Sequence, residues 1–102
     1  MAGYVNKELR ESLRTLETLM AGIKDCCEDI TLTINNYGEK FDEDYLRELV
    51  AKQIIIMNRL SETLDMSNKG LMTVEEVISV YSEVYTELNH LDLEVNKIYL
   101  SA

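Results

Sequence analysis

Apolar residues recur at alternating steps of three and four along most of the chain. Leu9, Leu13, Leu16, Met20, Ile23, Cys27, Ile30 and Ile34 form one run, and Val77, Tyr81, Val84, Leu88, Leu91, Val95 and Ile98 form another. That spacing gathers the side chains on one stripe of an α-helix, and over several heptads it favours knobs-into-holes packing. A stripe needs partner helices, from the same chain or from another copy.

Three helices are predicted. Helix 1 spans about residues 4–36 and ends in Asn35-Asn36-Tyr37-Gly38, where Gly38 is the expected left-handed C′ residue. Helix 2 spans about 43–65. Asp42 is its expected N-cap, and Phe41 with Leu46 has the spacing of a hydrophobic staple. Its expected inward stripe is Leu46, Val50, Met57, Leu60 and Leu64, with Gln53 at one seam position. Helix 3 spans about 74–100 and has the clearest start. Thr73 and Glu76 have capping-box spacing, and Met72 with Val77 forms a second staple. The expected fold is all-α: one domain over residues 1–102, an antiparallel up-down-up three-helix bundle with coiled-coil-like heptad packing, oligomeric through its surplus apolar surface.

Composition agrees with this reading. The chain has 102 residues, 46% of them apolar, with no proline and four glycines, so little interrupts a helix. No apolar stretch approaches the ~20 residues that cross a bilayer, and the first residues lack the apolar core of a signal peptide. Cys26 and Cys27 are adjacent in helix 1, where side chains diverge by about 100°, so they do not form a bridge without distorting the helix. Cys27 is expected on the seam with Cys26 beside it. Reduced thiols suit a cytoplasmic protein.

The net charge is −9. This disfavours direct binding of nucleic acid or an anionic membrane, both of which attract basic patches. Helix 3 concentrates the acid: Glu75, Glu76, Glu83, Glu87, Asp92 and Glu94 stand against Lys97 alone. Such a rod suggests a second reading, an acidic decoy of the phage anti-defence type that imitates a nucleic-acid backbone. Six carboxylates over ~40 Å are sparse beside duplex DNA, which carries one charge per ~1.7 Å.

Catalytic chemistry has little to stand on. Glu87 and His90 have the Glu-x-x-His spacing of di-metal bundles, but those sites need two such motifs, and the chain has one histidine. Cys26 and Cys27 lack an identifiable base with an orienting group. No enzyme activity, metal or cofactor is expected. Gln53, Arg59 and Tyr85 are the polar residues that a small ligand between subunits would use.

The stronger indication is apolar excess. Ile54-Ile55-Ile56-Met57 covers all sides of a helix, so part of it must face away from a simple seam. Ile54, Ile55, Leu93 and Leu100, with Tyr85 and Tyr99 at flanking positions, are therefore candidates for an interface. The expected function is that of a non-catalytic adaptor, chaperone-like partner or inhibitor, acting on a protein partner or on another copy through helix–helix contacts. The outline resembles small helical hairpin and bundle proteins of bacteria and their phages, without a shared residue-level motif: the Trp-x-Gly turn of secreted helical hairpins is absent.

Overall fold

The computed structural model describes residues 2–101, with the side chains of residues 7–100; Tyr4 lies outside those side chains. Three α-helices, α1 (Ala2–Tyr37), α2 (Glu43–Asn68) and α3 (Val74–Ser101), account for nearly all of it. No strand occurs among the described residues. The molecule is a rod of 59 × 22 × 17 Å.

The turns show why the helices end where they do. After α1 the chain tightens into a 3₁₀ turn at Gly38–Lys40, closed by the Phe41 amide donating to the Gly38 carbonyl (3.1 Å). Gly38 therefore does not take the expected left-handed conformation; Gly70, at φ 73°, is the glycine that does among the described residues. Asp42 occupies the N-cap of α2 with extended backbone, but its carboxylate makes no capping hydrogen bond and points to water. Phe41 is buried and stacks on Tyr45 with ring centroids 6.1 Å apart.

Helix α2 runs three residues past the predicted Asp65, to Asn68. A Schellman motif then stops it: Gly70 donates to the Ser67 carbonyl (3.0 Å) and Leu71 to that of Met66 (2.9 Å). The capping box of α3 forms in both halves. The Thr73 amide donates to Glu76 Oε1 and the Glu76 amide to Thr73 Oγ1, each at 3.2 Å.

Helix α3 buries the stripe its sequence announces: Val77, Tyr81, Val84, Leu88, Leu91 and Val95 are all nearly inaccessible. It is the central element, packed against α1 along most of its length and against α2, while α1 and α2 scarcely meet. On the α1 side, Gly22 lies under Tyr85, Cys26 meets Asn89, and Tyr37 meets Tyr99. On the α2 side, Arg59 reaches Glu83 and Glu87, and Tyr45 lies near Glu94.

The inward stripes of α1 and α2 differ from the expected ones. In α2 the buried residues are Leu49, Ile56, Leu60 and Thr63, whereas Val50 and Met57 are 51% and 52% exposed and Leu64 is exposed too. In α1 Cys26 is buried and Cys27 only half-buried, and Leu9, Leu13 and Met20 are exposed. Each helix carries two overlapping 3,4 stripes that share every second position: Leu46, Gln53 and Leu60 in α2, and Leu16, Ile23 and Ile30 in α1. The stripe turned to α3 contains Thr63 or Cys26, and the more apolar one is left beside it. Thr63 is tolerated inside because its hydroxyl donates to the Arg59 carbonyl (2.8 Å).

Candidate functional site

Because α3 separates α1 from α2, the second stripes of these two helices face each other across an open groove. Met20, Ile23 and Cys27 form one wall, Met57, Leu60 and Leu64 the other, and Tyr81 lies at the floor. Lys24, Glu28 and Ser61 stand at the rim, and the groove encloses about 350 Å³. Walls of methionine, isoleucine and leucine with a charged rim have the make-up of a surface that receives an apolar helix face, and methionine adapts to irregular occupants. Sequence reasoning did not assign this groove. Its signal was present in the doubled stripes, since a helix with two apolar stripes needs two partners.

The expected interface residues are scattered rather than gathered. Ile54 and Ile55 are exposed on α2, and Leu93 and Leu100 on α3. Ile55 lines a separate shallow cleft between α2 and α3 with Lys52, Ile56, Glu87, His90 and Leu91. Tyr85 is half-buried against Gly22, close enough that a β-carbon there would lie 2.7 Å from Cε1 of the ring. Tyr99 packs on Tyr37 with the rings tilted by 34° and their centroids 4.3 Å apart, and the Lys40 ammonium lies 5.1 Å from the Tyr99 ring centre. Both tyrosines thus take part in holding α1 to α3.

The acidic candidates of α3 do not form one continuous face. Glu83 and Glu87 both bind Arg59, Glu87 at 3.6 Å. Glu76 caps its own helix, while Glu75 is exposed and Glu94 lies beside Tyr45. Asp92 is half-buried toward α1 and accepts a hydrogen bond from Asn96 (3.3 Å). Its carboxyl is pushed up to about 6, first by desolvation and then by the neighbouring carboxyl of Asp29, with the Asn96 amide acting the other way.

The groups with reactive potential are held quiet. The Cys26 thiol donates to Asn89 Oδ1 (3.3 Å), and burial, followed by the Asp92 charge, pushes its pKa up. Burial does the same for Cys27. A raised pKa keeps a thiol protonated and a poor nucleophile. His90 is exposed in the α2–α3 cleft, whereas Cys26 lies in the α1–α3 contact. Among the described residues no three His, Cys, Asp or Glu side chains cluster to hold a metal ion. Gln53, Arg59 and Tyr85 do not converge within one chain: Arg59 is bound to Glu83, and Tyr85 faces α1. Among the described residues no helix is long and apolar enough to cross a membrane.

The chain matches no known protein family, no curated protein and no solved structure.

Proposed function

We propose that this protein is a non-catalytic binding module, an up-down-up three-helix bundle that works by accepting an apolar helix face in the groove between α1 and α2. The order of contacts supports the topology. Pairs between α1 and α3 rise together (Gly22 with Tyr85, Cys26 with Asn89, Tyr37 with Tyr99), whereas Tyr45 meets the late residue Glu94 and Arg59 the earlier Glu83. The observation that carries the functional reading is the row Met20, Met57 and Leu64, exposed at helical spacing on two helices that flank one floor. An adaptor, a chaperone-like partner and an inhibitor all use such a surface, and all fit a soluble cytoplasmic setting.

The test is capture of partners from the native host with three forms of the protein. A partner held in the groove is lost with the double variant Met20→Lys, Met57→Lys and retained with Ile55→Ser. It also stays bound in about 1 M salt, where the screening length falls to ~3 Å. A partner indifferent to the groove variant and released by salt would instead favour the acidic-decoy reading. That reading is weakened by the engagement of Glu83 and Glu87 with Arg59.

A further inference from the structure

We propose that Arg59 is the positioning residue of the groove: its ion pairs with Glu83 and Glu87 hold α2 in the rotation that keeps the groove open, and without them α2 rolls about its own axis to close it. The rotation is independent of any partner; its consequence for partner binding rests on the binding-module reading.

The two apolar rows of α2 make such a roll available. Leu49, Ile56 and Thr63 face inward, and Val50, Met57 and Leu64 lie exposed beside them. Leu46, Gln53 and Leu60 belong to both rows. Turning the helix by about 50°, half the ~100° between successive residues, therefore exchanges one row for the other. The exchange gives up a leucine, an isoleucine and a threonine and gains a valine, a methionine and a leucine, so burial alone narrowly favours the closed rotation. The Thr63 hydroxyl is satisfied by the Arg59 carbonyl within α2, and that bond travels with the helix. Helix α1 scarcely meets α2 and so does not block the turn.

The open rotation must then be held from α3. Arg59 follows Ile56 by three residues and precedes Thr63 by four, which places it on the flank of the inward row, nearly opposite Met57. From there its guanidinium reaches Glu83 and, at 3.6 Å, Glu87. The roll swings Arg59 away from α3 and breaks both pairs. The ion pairs of Arg47 with Glu43 and of Lys69 with Asp65 join residues four apart and do not resist it. A surface ion pair shifts an equilibrium by up to about fivefold, which decides the outcome here because the two rows are closely matched.

Methyl NMR of the full chain with a soluble paramagnetic agent reads the rotation, with circular dichroism checking that each variant remains helical. In the wild type the agent should reach Met57 and not Ile56. Arg59→Glu should move the ratio of the two rotations about fivefold or more toward the closed one, so that Met57 and Leu64 become protected and Ile56 accessible. Combining it with Glu83→Lys and Glu87→Lys should restore the wild-type pattern, a rescue that a packing role of the Arg59 stem would not give. Should Arg59→Glu disturb the fold, Glu83→Gln with Glu87→Gln breaks the same pairs from the α3 side and should protect Met57 in the same way. Unchanged accessibility of Met57 and Ile56 in these variants overturns the proposal, and so does a shift that the charge exchange fails to reverse. Neither result touches the groove of the wild type, so capture from the host decides the binding-module reading separately.

Discussion

Gly22 and Tyr85 show how one residue sets the distance between two helices. Glycine inside a helix costs up to about 1 kcal/mol relative to alanine, yet here it lets the Tyr85 ring approach α1 closely. In Gly22→Ala the new methyl meets Cε1 at 2.7 Å and the ring Cζ at 2.9 Å, so the ring must move. Overpacking of this kind costs roughly 1–3 kcal/mol, which outweighs the propensity gain. Urea unfolding should show a net loss of about 1 kcal/mol for Gly22→Ala, and a gain when the same change is made in a Tyr85→Ala background. An unchanged effect in both backgrounds would mean that the ring does not rest on Gly22.

Tyr45 is the converse case, a buried hydroxyl beside the Glu94 carboxylate that makes no hydrogen bond of good geometry to it. Desolvation, followed by the nearby Glu94 carboxylate, pushes the phenol pKa up. Removing an unsatisfied buried group avoids a desolvation cost of about 1–3 kcal/mol. Tyr45→Phe should therefore leave stability unchanged or raise it by about 1 kcal/mol in the same unfolding assay, where most buried tyrosine substitutions lower it.

Between elements, the contact of α1 with α3 contains one titrating weak point. Asp92 holds its proton to about pH 6, against an ordinary value of 3.8. Between those values the folded chain binds more protons than the unfolded one, so this group's contribution falls as pH rises through that window and is least favourable above it. Asp92→Asn should stabilise the protein by about 1 kcal/mol at pH 7.5, after discounting for solvent screening at a half-buried site. The difference between variant and wild type should vanish near pH 4. A constant difference at both pH values would show that Asp92 does not titrate in this range.

The helix ends also divide into what local sequence determines and what it does not. Thr73 and Glu76 lie within one turn and satisfy each other's amides, so the start of α3 is legible from four residues. The stop of α2 depends on Gly70 taking positive φ and on two carbonyls reached backwards from it. The choice of Gly70 over Gly38 as the left-handed residue was not visible in composition. The stripes of α1 and α2 were legible as stripes but not as orientations. Val50, Met57 and Leu64 make a more apolar row than Leu49, Ile56 and Thr63, and hydrophobicity alone selects the former. Which row turns inward depends on where α3 sits, a long-range fact that a single helix does not contain.

At the scale of the whole molecule, three helices around one central rod leave a two-walled trough, because α1 and α2 reach α3 without closing on each other. The surplus of apolar residues in Ile54-Ile55-Ile56-Met57 was readable as a need for further contact. Its location was not, since Ile56 turned out to be core, Met57 a groove wall, and Ile55 the edge of another cleft. The trough explains why Met20 on α1 and Met57 and Leu64 on α2 stay exposed although they belong to apolar stripes. It also predicts where the molecule associates, independently of what its partner is.

Methyl NMR of the methionines, with and without a partner captured from the host and with a soluble paramagnetic agent reporting exposure, tests that claim most directly. Met20 and Met57 stand in the groove, while Met66 is exposed near the end of α2 outside the groove lining. The account predicts that Met20 and Met57 become protected together as the partner is added, with Met66 unaffected. Protection of Met66 while Met20 and Met57 stay open to the agent would contradict it.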